Sequence, residues 1–209
     1  MPTKCTAIVL AAGKSSRMGV PKGLLKYKHT FWLLEQLNRI SQTNIKQVLI
    51  VLGHQKEDYL KTIPWLSKAL YSSYSYGTIK LRVCINSHPE AGSFSSLQIG
   101  LQQVTNDHSV VVCPIDVPFF PSTLSLLLSH RNNVIIPTFE HKKGHPVILS
   151  AKFWNQLLAI NTHSKQARLD TQIKLLPINQ ISQIEVNDAL VIKNINTPNE
   201  WKDYLTTYS

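Results

Sequence analysis

An apolar run that ends in three small residues and a basic loop constrains this chain more than any other feature. Thr6-Ala7-Ile8-Val9-Leu10 has the unbroken hydrophobicity of a parallel strand buried on both faces. At Ala11-Ala12-Gly13 the side chains shrink. Backbone amides can then approach a ligand closely, and Gly13 can take dihedrals that other residues avoid. Ser15 and Ser16 follow with hydroxyls, and Arg17 and Lys22 place two cations just beyond the strand end. Amides, hydroxyls and fixed positive charge in one place suit a polyphosphate. Two familiar glycine fingerprints do not fit. Five residues separate Gly13 from Gly19 and Lys22 does not directly follow Gly19, so this is no Walker loop, and no G-x-G-x-x-G occurs.

Beyond the loop, strand and helix patterns alternate. Phe31 to Ile40 carries apolar residues at helical spacing, with Thr30 expected as its N-cap. Gln47 to Leu52 reads as a buried strand closed by Gly53, and Lys56 to Leu70 as helix with a break at Pro64. The tyrosine-rich stretch 71–77 reads as a connector. Leu81 to Asn86 is a third strand, Ser95 to Val104 a third helix and Ser109 to Cys113 a fourth strand. In the second half Val134 to Pro137 and Val147 to Leu149 read as strands, Ala151 to Ile160 as helix, and Gln180 to Val186 and Ala189 to Ile192 as late strands. The alternation predicts a single α/β domain over residues 1–209, Rossmann-like, with a mostly parallel central sheet flanked by helices. A ligand is expected at the strand C-terminal ends.

Composition narrows the function. A chain of 209 residues with 43% hydrophobic content is ample for one core and short for two full domains. No apolar run reaches membrane-spanning length, and Met1-Pro2-Thr3-Lys4-Cys5 leads straight into a strand rather than a signal peptide. A cytoplasmic protein with no membrane partner is expected. The net charge of +10 points to anionic ligands. Nucleic acid is a rival on charge alone, but the basic residues are scattered and no RNP, zinc-finger or helix-turn-helix spacing occurs. Cys5, Cys84 and Cys113 stand singly in or beside apolar runs and read as buried reduced thiols. Without C-x-x-C or H-E-x-x-H, zinc is not expected.

Four further places carry chemistry. Asp116 follows the valine run Val110-Val111-Val112, between Pro114 and Pro118, at a sheet mouth where carboxylates hold catalytic magnesium; a turn or cap role is the plain alternative. Gly92-Ser93-Phe94-Ser95-Ser96 joins amides and hydroxyls at a helix start, as a phosphate lip or as a simple N-cap. His141 to Leu149 combines a basic turn with a strand, and His145 either touches an anion or braces the turn. Thr197-Pro198 is a helix start, with Thr197 as cap and Pro198 in the first turn.

Leu10-Ala11-Ala12-Gly13-x-Ser15-x-Arg17-Met18-Gly19-x-Pro21-Lys22-x-Leu24-Leu25 resembles the signature of nucleotidyltransferases that move a nucleoside monophosphate from an NTP onto a phosphorylated acceptor. The molybdopterin guanylyl- and cytidylyltransferases look most similar, and the resemblance runs from about Thr6 to Trp201. It implies the GT-A type of the fold, Mg²⁺ as cofactor, and an NTP wrapped by Leu10, Ala11, Ala12, Gly13, Ser15, Ser16, Arg17 and Lys22. Arg17, Lys22 and Asp116 become the catalytic set. Asp116-Val117-Pro118 aligns with the family's Asp-x-Pro, making Asp116 the main magnesium ligand, with Asn196 of Asn194-x-Asn196-Thr197-Pro198 as a weaker, neutral one. Asn86 and Ser95 are implied as nucleotide contacts. Gly144 and His145 are implied as acceptor contacts through the Gly-His-Pro segment. That segment and Leu-Ala-Ala-Gly lean to CTP, whereas Asn-x-Asn-Thr-Pro leans to GTP, and the balance favours CTP. The acceptor implied is molybdopterin, with transient contact to molybdoenzymes or their chaperones. A sugar-phosphate, methylerythritol-phosphate or phosphocholine nucleotidyltransferase, and a non-catalytic nucleotide sensor, share the loop.

Overall fold

A computed structural model describes residues 4–208, so the reading of the first residues as leading directly into a strand lies partly outside the described residues. Eleven strands are described: β1 (Cys5–Ala11), β2 (Lys26–Tyr27), β3 (Thr30–Phe31), β4 (Gln47–Leu52), β5 (Tyr74–Tyr76), β6 (Ile79–Ile85), β7 (Ser109–Pro114), β8 (Val134–Phe139), β9 (Lys142–Lys143), β10 (Val147–Leu149) and β11 (Ile181–Glu185). The helices are α1 (Trp32–Ser41), α2 (Lys56–Thr62), α3 (Trp65–Tyr71), α4 (Ser93–Leu101), α5 (Pro121–Ser129), α6 (Ala151–Leu157), α7 (Leu169–Lys174) and α8 (Pro198–Tyr208).

The main sheet runs in the order β11-β8-β10-β7-β1-β4-β6-β5, with β9 paired to β8. Pairing is parallel from β7 through β1 and β4 to β6, and between β8 and β11; β10, β5 and β9 are antiparallel. This is the expected α/β architecture. Side chains alternate across the sheet with period two. Ala7, Val9 and Ala11 join the cluster formed with α1, α3, α5 and α8. Ile8, Leu49 and Val51 join the opposite one, formed with α4 and α6. Gly100 lets α4 sit close, since a Cβ there would lie 2.8 Å from Ile8 and 3.2 Å from Val51.

Several elements depart from expectation. Tyr74–Tyr76 is a strand rather than a connector. The two-residue turn Gly77-Thr78 folds it back onto β6, and Trp65 stacks on Tyr74 with ring centroids 4.7 Å apart. Thr30 pairs with Tyr27 in a short hairpin, so the N-cap of α1 is Phe31. Residues 56–70 form two helices, and Pro64 is the N-cap of the second. Ala189–Ile192 is a 3-10 turn, not a strand, because the buried Asp188 side chain accepts from the Leu190 amide and curls the backbone. Two short helices, α5 and α7, were not expected at all. The free thiol of Cys113 is buried, but those of Cys5 and Cys84 are only half-buried. Among the described residues no helix is long and apolar enough to cross a membrane.

Candidate active site

In strand sequence, β4 and β6 extend the sheet on one side of β1, and β7 lies on the other. That reversal makes the gap beyond the C-terminal ends of β1 and β7 the switch point where open α/β sheets bind ligands. A cleft of about 700 Å³ occupies it, lined from β1 and its loop by Leu10 to Ser15 and from β7 by Pro114 to Asp116.

The loop after β1 is held by its own backbone. Ser15 has φ of 51°, and its carbonyl accepts from the Met18 and Gly19 amides. Its hydroxyl accepts from the Lys22 amide at 3.3 Å. The turn returns Lys22 to the cleft, where its Nζ donates to Asp116 Oδ2 and to Asn196 Oδ1, each at 2.8 Å. Asn196 arrives because the Ile195 amide donates to the Asp116 carbonyl at 2.8 Å. The start of α8 is a capping box: Glu200 accepts from the Asn196 and Thr197 amides, and Thr197 Oγ1 accepts from the Glu200 amide. Hydrogen bonding to those amides and to the Thr197 side chain holds the Glu200 carboxyl below its ordinary range, with the nearby charge of Arg17 adding to the effect.

Helix α1 fixes the segment that carries Asp116. Trp32, Gln36 and Arg39 lie on one helical face and donate to alternate carbonyls of the loop: Trp32 Nε1 to Ile115 at 2.7 Å, Gln36 Nε2 to Val117 at 3.3 Å and Arg39 to Phe119 at 3.1 Å. Arg39 also pairs with Glu35 at 2.8 Å and donates to Tyr204 Oη. Asp188 secures the far end by accepting from the Phe120 amide and the Thr123 hydroxyl. Such supporting shells hold a reacting carboxylate in place.

The other expected residues divide. Leu10, Ala11, Ala12, Gly13, Ser15, Lys22 and Asp116 line the cleft; Ser16 and Arg17 are exposed outside its lining. Asn86 and Ser95 are buried and turned inward. The Asn86 amide donates to Ser95 and Ser96 and accepts from the His88 amide, which leaves it braced against the start of α4 instead of facing the cleft. The N-cap of α4 is Gly92, at φ 93°, so neither Ser93 nor Ser95 caps it. His145 is half-buried and borders both the cleft and a second cavity of about 690 Å³, which Gly144, Lys143 and Arg168 also line. Burial pushes the His145 imidazole below its ordinary value, and the Asp116 charge opposes that shift. Gly144 sits against the Val191 carbonyl, where any Cβ would collide.

Sequence reasoning missed Lys14, His54 and Glu90, which also line the cleft, whereas Ser93 lines it as part of the expected phosphate lip. Lys14 lies within the glycine loop itself, and His54 directly follows Gly53 at the end of β4, so their positions were the available signals. Among the described residues no group of three His, Cys, Asp or Glu side chains could hold a metal. A cation here would have one carboxylate and one amide oxygen from the protein.

Residues 7–175 match the family described as MobA-like NTP transferase domain, and the chain belongs to that family. It is 23% identical over 212 residues to a probable molybdenum cofactor guanylyltransferase of Clostridium perfringens, covering 97% of this chain and 96% of that one. It is 28% identical over 206 residues to a protein of the same name from Methanosarcina acetivorans, covering 92% and 86%. The fold is also that of Rv0371c from Mycobacterium tuberculosis, with TM-score 0.76 at 20% identity over 98% of this chain and 100% of that one. A second structure of that protein, a complex with manganese, gives 0.72 at 18% identity over 99% and 100%.

Proposed function

We propose that this member of the MobA-like NTP transferase family transfers a guanylyl group from GTP to the phosphate of molybdopterin, with Mg²⁺ as cofactor and pyrophosphate as product. One observation carries the reading: Lys22, Asp116 and Asn196 converge at hydrogen-bond distance on the cleft where β1 and β7 part.

The donor set suits the metal. Two hard oxygens, Asp116 Oδ2 and Asn196 Oδ1, already converge on a cation in the form of the Lys22 ammonium. Magnesium is commonly held by one or two carboxylates and completed by substrate phosphate and water. A solved structure of the same fold is a manganese complex. Bound here, the ion supplies neutralisation of charge on the phosphoryl oxygens as the transition state forms.

The chain's own residues do the rest. Amides of the loop from Ala12 to Ser15 receive the triphosphate, and Lys14, Arg17 and Lys22 offset its charge. The start of α4 opens on the same cleft through Gly92, Ser93 and Ser96, bringing the first turn of that helix to the ligand space. The acceptor occupies the second cavity beside His145, Gly144, Lys143 and Arg168. Its phosphate oxygen attacks the α-phosphorus, and the bond to pyrophosphate breaks. No general base is needed because that oxygen is already anionic, so positioning and charge neutralisation supply the rate. Asn86 and Ser95 act through the shape of the α4 start, not by touching the nucleotide.

GTP is preferred over CTP because the named relatives are guanylyltransferases, as the Asn194-x-Asn196-Thr197-Pro198 segment also suggests. The CTP leaning drawn from Leu10-Ala11-Ala12-Gly13 and Gly144-His145-Pro146 has no such support. A cytoplasmic enzyme that passes its product to molybdoenzymes or their chaperones by transient contact is the setting this reading implies.

Thermal denaturation with ATP, CTP, GTP and UTP, each with and without Mg²⁺, tests it. A ligand at a hundred times its Kd adds about 2.7 kcal/mol, and a chain of this size shifts by about 2–4 °C per kcal/mol. A magnesium-dependent shift with GTP supports the reading, a shift with CTP alone reverses the base, and a shift with UTP or ATP points to a sugar-phosphate enzyme.

A further inference from the structure

Lys22 is one cation serving two masters in the same cleft. Its ammonium lies 2.8 Å from both Asp116 Oδ2 and Asn196 Oδ1, the two side-chain oxygens it meets among the described residues, and its side chain is only 12% exposed. Those same two oxygens are the donors a divalent cation would need. A divalent ion and an ammonium cannot share them, because like charges at such spacing in a partly buried site repel strongly. Lys22 also lines the cleft that fits a triphosphate, and its long stem has four rotatable bonds, so a second anionic partner lies within its reach. The backbone that carries Asp116, by contrast, is held by the α1 donors at Ile115 and Val117 and by the Ile195 amide at the Asp116 carbonyl, so its short side chain has far less reach than Lys22.

We propose that Lys22 is the placeholder cation of this site. In the nucleotide-free protein it holds Asp116 and Asn196 together and denies them to the free metal ion. When nucleotide and divalent cation arrive together, Lys22 turns to the triphosphate and releases the two oxygens. This rests on the assignment of Asp116 as the metal ligand made above. It means that the protein alone binds the ion weakly, and that nucleotide and metal enter as a pair. An ammonium also keeps the two oxygens gathered around a cation before the metal arrives, which preorganises the site.

The test is Mn²⁺ binding to the protein without nucleotide, read from the electron paramagnetic resonance signal of free Mn²⁺. Lys22→Met keeps the length and removes the charge; Lys22→Gln is a second, neutral variant in case the first does not fold. Binding at least tenfold tighter than wild type in either folded variant is the expected result. Equal or weaker binding in the neutral variants overturns the proposal. Asp116→Asn added to the neutral variant separates the two levels. If it abolishes the tight binding, the metal seat stands and Lys22 masks it. If tight binding survives, Asp116 is not the ligand, and both the placeholder role and the assignment beneath it fail.

Discussion

The ammonium of Lys22 and the carboxylate of Asp116 meet at 2.8 Å although 94 positions separate them along the chain. The loop after β1 supplies one partner and the end of β7 the other, and these two strands are neighbours in the sheet. Lys22→Ala and Asp116→Ala are each expected to lower turnover at least about a hundredfold, the scale of lost transition-state charge stabilisation. Pyrophosphate release measures it, and wild-type rates in the Asp116 variant would remove the carboxylate from the chemistry.

Arg39 is expected to matter to stability as much as to geometry. Its guanidinium pairs with Glu35, donates to the Phe119 carbonyl and Tyr204 Oη, and packs 5.2 Å from the Trp32 ring. Arg39→Met leaves Glu35 partly buried without its cation, at a cost of about 3 kcal/mol. Urea unfolding checks this, and the Mg²⁺ concentration needed for half-maximal turnover should rise as the Asp116 segment loosens. An unchanged unfolding midpoint would mean that α1 does not hold that segment.

Gly144→Ala should destabilise the protein by about 1–3 kcal/mol, the usual cost of overpacking. The added carbon would strike the Val191 carbonyl, and the hydrogen bond from the Gly144 amide to the Pro137 carbonyl, at 2.8 Å, limits how far the backbone can yield. Calorimetry gives the answer directly. A melting temperature equal to wild type would show that this contact is soft.

His145 predicts a pH dependence. Burial lowers its pKa in the folded protein, with Asp116 opposing, whereas in the unfolded chain it titrates near about 6.5. Below that value the unfolded chain takes up a proton that the folded protein resists. Its contribution to stability is therefore present above about pH 6.5 and is lost as pH falls toward the lower folded value. His145→Gln should show a smaller loss of urea midpoint between pH 7.5 and 5.5 than wild type. Parallel losses in the two proteins would assign the dependence to other groups.

What was legible beforehand was local. The strand end at Ala11-Ala12-Gly13, Asp116 after its valine run, and the Thr197-Pro198 helix start each announce themselves within a few residues, and each stands where its pattern implied. The three α1 donors could not be found that way. Trp32, Gln36 and Arg39 look like an ordinary helix face, and their partners lie 80 or more positions further on. His54 reaches the cleft only because β4 pairs with β1. Asn86 shows the opposite case: the resemblance implies a nucleotide contact, whereas in the fold its side chain is engaged with Ser95, Ser96 and the His88 amide, pairings that its place at a strand end does not reveal. Strand Tyr74–Tyr76 was hidden because its polar residues are edge-strand residues, stabilised by Trp65 from another element.

The most direct measurement is transfer of label from [α-³²P]GTP to molybdopterin by the purified protein, with and without Mg²⁺, alongside the Asp116→Ala variant. Label should enter the cofactor only with Mg²⁺ and only in wild type, with pyrophosphate released in equal amount. Binding of GTP without any transfer, or transfer that persists at wild-type rate in the Asp116 variant, would contradict nucleotidyl transfer at this cleft.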